Sequence, residues 1–256
     1  MSSVAALSHR IRSGSPVLSA WCGIPEPAVA GLLARESFDA VTLDMQHGAV
    51  DLSGALRALP LIAAAGKPAL VRIPVGEFAT ASRVLDAGVS GLIAPMINTV
   101  EDARLFGSFV KYPPLGERSW GPHAALALTG LPPGDYLAQA NGFCLSFAMV
   151  ETRESLGLVD DILAATGLDG IFLGPSDLSI ALSGGAGLDP MMAEVDHALD
   201  HAFARARAAG KLIGVYAGTG ERASQFLGKG FDLVAVASDT VMLRSGAQAI
   251  LKAARS

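Results

Sequence analysis

Five polar residues stand at or just beyond the ends of apolar runs, and their types suit one kind of chemistry. DAVTLDMQ (39–46) contains Asp44 and leads into His47, PALVRIP (68–74) contains Arg72, FCLSFAMVE (143–151) ends on Glu151, and DGIFLGPSD (169–177) ends on Asp177. Two carboxylates from separate runs, with positions left open for water and substrate, suit a hard divalent cation: Mg2+ or Mn2+, with Co2+ also accommodated. Such a cation polarises a carbonyl and stabilises the enolate formed beside it. Arg72 can add positive charge at the same oxygen, and His47 can move a proton. Asp44, His47 and Arg72 are therefore candidate catalytic residues, and Glu151 and Asp177 candidate metal ligands. Each has a plainer reading. Asp44 can cap a turn, His47 can face solvent from a loop, and Arg72 can pair with a structural carboxylate. Glu151 can favour a helix start by its charge, and Asp177 can cap LSIAL. A lysine Schiff base is the competing way to stabilise a carbanion. Of the five lysines, Lys67 and Lys211 precede apolar runs, and Lys111, Lys229 and Lys252 fall in or at the ends of helical stretches. None is placed to reach the far ends of the runs.

For the five residues to meet, the runs must lie parallel and end together. Eight such runs occur, at 16–23, 39–46, 68–74, 91–97, 143–151, 169–177, 211–217 and 233–239. Most are continuously apolar rather than alternating, as expected of parallel strands buried on both faces. Between them lie stretches with apolar residues at helical spacing, such as LSGALRALPLIAAAG and EFATASRVLDAG, and many end in Gly. Strand then helix, eight times, predicts an α/β TIM (β/α)8 barrel, whose strand ends share one site. A doubly wound open sheet is the alternative; no GxGxxG follows the first run. The whole chain, 1–256, reads as one domain. Residues 112–142 break the rhythm, and a connection of that length predicts an active-site or interface loop.

Composition narrows the class. Of 256 residues 51% are hydrophobic, yet no apolar run approaches the ~18 residues of a membrane helix. A formal charge of −5 without basic clusters argues against nucleic acid and anionic membrane as partners. MSSVAALSHRIRSGS reads as a short helix rather than a secretion signal, and Cys22 and Cys144 as buried reduced thiols, consistent with the cytoplasm. His197 and His201 are four apart, a spacing that can mark a metal pair, but on a stretch of the outer helical ring. AGTGERASQ follows the seventh run, where barrels often bind phosphate; a plain helix start is the simpler reading.

LDMQH, VRIP, LDAGVSGLIAPMINTVEDA, YPPLGERS, VETRESL and GLDGIFLGPSDLS together resemble the class II, metal-dependent pyruvate aldolases of the HpcH/HpaI type over nearly the whole chain. The resemblance implies a barrel of the phosphoenolpyruvate/pyruvate-domain type whose last helix is exchanged between subunits of a homohexamer, a trimer of dimers. It implies that Glu151 and Asp177 hold the metal, that Arg72 binds the reacting oxygen, and that His47 is the catalytic histidine. Asp86 would approach that histidine from the next subunit. The backbone N–H groups of Ser176 and Asp177, with Gly174 just before them, would hold the pyruvate carboxylate, and a helix start does attract anions. No organic cofactor is expected. The sequence departs from the family in two places. Met149 stands where Gln is frequent, which removes a polar contact to pyruvate, and ERSWGPHAA would bring Trp120 and His123 into the acceptor pocket. The activity implied is cleavage of a 4-hydroxy-2-oxoacid to pyruvate and an aldehyde. A CoA-thioester lyase with the same carboxylates, or a non-catalytic metabolite-binding barrel, stay open as alternatives.

Overall fold

The computed structural model describes residues 2–255; Met1 and Ser256, the outermost positions of the domain expected over 1–256, lie outside the described residues. The chain begins with α1 (Ser3–Arg12), β1 (Val17–Cys22), α2 (Pro27–Leu33), β2 (Ala40–Asp44), α3 (Leu52–Ala64), β3 (Ala69–Arg72), α4 (Phe78–Asp86), β4 (Gly91–Ala94) and α5 (Val100–Val110). It continues with α6 (His123–Thr129), α7 (Pro133–Phe143), β5 (Leu145–Val150), α8 (Arg153–Gly157), α9 (Val159–Leu163), β6 (Gly170–Leu173) and α10 (Pro175–Leu182). Then come α11 (Ala193–Ala208), β7 (Leu212–Ala217), α12 (Gly220–Lys229), β8 (Leu233–Ser238) and α13 (Asp239–Ala254). All eight strands fall within the eight apolar runs and pair in parallel, in sequence order, into a closed barrel. This is a TIM barrel.

Closure follows from the continuous apolar character of the runs. Alternate side chains face opposite ways along a strand. One set, including Val41, Leu43, Val71 and Leu173, packs outward under the helices. The other set, including Leu70, Ile93, Phe147, Phe172 and Leu233, fills the barrel interior. Leu7 and Ile11 of α1 join this interior cluster, so α1 closes the end of the barrel where the strands begin. The inward set continues upward through Trp21, Asp44, Arg72, Met149 and Tyr216. The period that fills the core with apolar residues thus delivers polar ones to the open end.

Helix starts at that end are capped by short polar side chains. Thr99 accepts from Asp102 N at 3.0 Å, Asp51 from Gly54 N at 2.6 Å, and Ser238 from Val241 N at 3.3 Å; each satisfies an orphan donor. Two non-glycine residues, Met96 (φ 53°) and Ala237 (φ 46°), take the left-handed conformation just beyond or within strands at this same end. At Ala237 the pairing of β1 with β8 skips a residue. Strain and bulges of this kind collect at sites that need a group re-aimed.

Three features refine the sequence reading. The stretch TRESLGLVDDILAATG (152–167), also apolar at helical spacing, forms two short helices, α8 and α9, separated at Leu158 (φ −107°) just after Gly157, a poor helix former. Residues 112–142 connect α5 to β5, and a helix-to-strand connection lies where strands begin. They form α6 and α7, which pack on α1, so they do not border their own barrel's mouth. Finally, α13 touches the barrel through β1 and β8, yet Asp239 is its only buried residue among those described. Val241, Leu243, Ile250 and Leu251 are exposed, Ile250 at 72%.

Candidate active site

Asp44 is the hub of one wall. Its Oδ1 accepts from Gln46 N (3.1 Å), His47 N (3.3 Å) and Arg72 Nε (2.8 Å); its Oδ2 accepts from Trp21 Nε1 (3.2 Å) and Arg72 Nη2 (2.6 Å). The plain reading of Asp44 as a turn cap and the catalytic reading of its neighbours are therefore both served by one carboxylate. It shapes the turn that carries His47 and clamps Arg72 in a bidentate pair. Burial alone would push the Asp44 carboxyl up, but the guanidinium overrides it and holds it below the usual range. Both partners are under 9% exposed, and removing one partner of such a pair costs about 3–5 kcal/mol because a buried charge is left alone. Arg72 also lies 4.9 Å from the Trp21 ring centroid. Its remaining N–H groups are left for a ligand. Gly48 permits the turn: a Cβ there would stand 2.3 Å from Asp44 O and 2.7 Å from Gly23 Cα. His47 is exposed, and no carboxylate of the described residues pairs with it.

Glu151 and Asp177 supply the opposite wall. Glu151 is 2% exposed, and its Oε1 accepts from Met96 N at 2.8 Å, the amide that the left-handed turn re-aims. Burial pushes its carboxyl up to about 7, and the Asp177 carboxylate, close by, pushes the same way; the Met96 amide and Arg72 oppose this. Asp177 lies in the first turn of α10, where Gly174 is the N-cap and Pro175 opens the helix, so Asp177 is not itself the cap. A Cβ at Gly174 would stand 2.5 Å from Glu151 Oε2 and fill the space beside it. Two carboxylates facing each other with no cation of the protein between them, and a glycine keeping the adjoining space clear, are a donor set that fits a hard divalent metal. Among the described residues no cluster of three or more His, Cys, Asp and Glu side chains could do so instead.

These walls enclose a cavity of about 380 Å³ lined by Asp44, His47, Arg72, Met149, Gly174, Ser176 and Asp177. The structure thus brings together most of the residues singled out by sequence. It adds Trp21, Phe172, Tyr216 and Asp239. Trp21 and Phe172 lie on the inward register of their strands but read as packing. Asp239 is 1% exposed, and its Oδ2 accepts from Gly23 N (3.0 Å) and Ile24 N (2.8 Å), tying the start of α13 to the loop after β1.

Three expected residues lie elsewhere in their own chain. Helix α4 runs back against the strands, so Asp86 at its end lies away from the mouth, and its Oδ1 accepts from Arg118 Nη2 at 2.7 Å. Trp120 is exposed and packs on Tyr112 and Tyr136 (centroids 5.7 and 6.1 Å), and exposed His123 opens α6. None of the three lines the cavity, because all belong to elements at the closed end. No lysine lines it either: Lys111 is buried at that end, donating to Asp169 Oδ2 at 2.6 Å. His197 and His201 are exposed on α11, and AGTGERASQ is a plain helix start capped by Thr219. Both cysteines are free and buried, with their thiols pushed up by burial.

The chain is similar to known proteins along almost its whole length. The family described as HpcH/HpaI aldolase/citrate lyase matches residues 19–246. A hydroxypyruvate/pyruvate aldolase of Rhizorhabdus wittichii is 40% identical, over 95% of this chain and 96% of its own. A 4-hydroxy-2-oxo-heptane-1,7-dioate aldolase of Klebsiella pneumoniae is 34% identical, over 96% and 92%. A solved HpcH/HpaI aldolase/citrate lyase family protein from Burkholderia cenocepacia superposes with a TM-score of 0.88 at 31% identity, covering 98% of this chain and all of the other.

Proposed function

Because this chain belongs to the HpcH/HpaI aldolase/citrate lyase family, we propose that its mouth reversibly cleaves a 4-hydroxy-2-oxoacid to pyruvate and an aldehyde. It is a carbon–carbon lyase, a class II pyruvate aldolase. The observation that carries the assignment of roles is the meeting of Glu151 and Asp177 across from the clamped Arg72. Glu151 and Asp177 would hold the divalent metal, with Mg2+ or Mn2+ preferred and Co2+ accommodated. When bound, it polarises the 2-keto group and offsets the negative charge of the enolate. Arg72, immobilised by Asp44, points its free N–H groups at the same keto oxygen as that charge grows. The amides of Ser176 and Asp177, at the start of α10, bind the carboxylate. Met149 offers pyruvate an apolar surface. His47 takes the proton of the 4-hydroxyl as the C3–C4 bond breaks, the electron pair of that bond forms the C2–C3 enolate, and the proton held by His47 then returns to C3 to give pyruvate.

The same reading makes the site a shared one. The apolar stripe of α13 is uncovered within its own chain, and its burial in a neighbouring subunit would stabilise association. In a homohexamer of that kind, Asp86 and the 112–142 segment of one subunit would reach the mouth of another, and Asp86 would face the unpaired His47.

Exchange of the pyruvate C3 protons for deuterium, followed by NMR, tests the reading without any aldehyde. The wild-type protein with Mn2+ is expected to exchange. EDTA should stop exchange reversibly, and Arg72→Ala should remove exchange and cleavage together. Full exchange in chelator, or borohydride trapping of pyruvate on a lysine, would end the metal reading.

A further inference from the structure

The mouth cavity has a neighbour. A second hollow of about 170 Å³ shares Pro175, Ser176 and Tyr216 with it, so the two adjoin with the Tyr216 ring at their junction. That ring is held edge-on against Trp21, centroids 5.4 Å apart and planes at 73°. Beyond it, Pro190 and Met191 from the stretch between α10 and α11 give the hollow an apolar wall. Met191 is 58% exposed, so apolar surface is left in water at its edge. Arg222, in the first turn of α12, is its one charged lining residue among those described. Its charge is already answered: it pairs with Asp196, donates from Nη1 to Gln225 Oε1 at 3.0 Å, and stacks 4.5 Å over the Phe226 ring.

We propose that this hollow is the distal subsite for the acceptor aldehyde, and that it selects neutral aldehydes with an apolar chain or ring over aldehydes ending in a carboxylate or phosphate. The inference rests on the aldolase reading above. With the carbonyl carbon at Arg72 and His47, the remainder of the acceptor passes Tyr216 and covers Pro190 and Met191. Removing that surface from water is favourable. A terminal anion taking the same route would lose its water and meet a guanidinium already neutralised by Asp196, an uncompensated cost.

The test is aldol addition by the Mn2+-loaded protein, with pyruvate as donor and glycolaldehyde, hexanal or succinate semialdehyde as acceptor. Hexanal should exceed glycolaldehyde in kcat/KM by at least about tenfold, the scale of discrimination an apolar pocket gives, and should exceed succinate semialdehyde as well. Met191→Trp fills the hollow from its exposed edge and should collapse the hexanal-to-glycolaldehyde ratio. Asp196→Asn leaves Arg222 unpaired and should raise kcat/KM for succinate semialdehyde several-fold. A hexanal-to-glycolaldehyde ratio equal in wild type and Met191→Trp overturns the subsite, as does a wild-type preference for succinate semialdehyde. Pyruvate C3 exchange separates the two failures. Exchange that persists while the ratios do not move sinks the subsite alone, whereas absent exchange in the wild type sinks the aldolase reading beneath it.

Discussion

Glu151 is the residue whose protonation the fold disturbs most usefully. Burial first, and Asp177 second, raise its carboxyl from 4.5 to about 7. Between those values the metal-free folded chain keeps a proton that the unfolded chain has lost, so this residue makes stability fall as pH rises through the window. A divalent cation replaces the proton and removes the penalty. Thermal melts should therefore show a Tm that declines from pH 5 to 7.5 in EDTA, and a gain from Mn2+ that is larger at pH 8 than at pH 5.5. Glu151→Gln should flatten that decline, abolish the Mn2+ gain and abolish cleavage. An Mn2+ gain that is independent of pH, or undiminished in Glu151→Gln, would remove this residue from the metal site. At this scale the sequence was most legible where a charge interrupts an apolar run. Asp44, Arg72, Glu151 and Asp177 are visible for that reason; Asp44, Arg72 and Asp177 line the cavity, and Glu151 lies just behind Gly174, beside Asp177. Trp21, Phe172 and Tyr216 look like core residues, and only barrel closure shows that they stand at its open end. Asp239 was hidden for another cause: an acidic residue at a helix start is ordinary, and its two amide donors, Gly23 and Ile24, lie over two hundred residues away in the chain.

At the scale of elements, the strands could be placed because an apolar run buried on both faces has few other readings. Connections were harder. Residues 112–142 were singled out for their length, but length does not say at which end of the barrel a segment lies; connectivity does, since this one leads from helix α5 into strand β5. Helix α13 carries the clearest prediction at this scale. Its exposed Leu243 and Ile250 lie with Leu32 and Leu33 of α2 around an apolar groove. Sedimentation should find the wild-type protein as an oligomer, a hexamer by the reading above. Leu243→Asp with Ile250→Asp should shift it toward smaller species and lower activity with it. Mixing Asp86→Asn chains with His47→Ala chains should recover part of the activity lost in each. A fully active monomer, or mixed chains no better than either alone, would return both residues to a purely local role.

The molecule as a whole has one closed end and one open end. Helix α1 seats Leu7 and Ile11, both under 4% exposed, in the barrel where the strands begin, while Arg72 and Glu151 lie deep at the opposite end and His47 at its surface. Among the described residues no helix is long and apolar enough to cross a membrane. With the floor of the barrel filled, departure through the open end has an order. The fragment farther from the floor must leave first, and on the proposed chemistry that is the aldehyde, with pyruvate behind it. Product-inhibition kinetics should then show pyruvate competitive with the hydroxy-oxoacid and the aldehyde noncompetitive. Competitive inhibition by both products would mean that either can leave first, and that the plug formed by α1 does not govern traffic through the barrel.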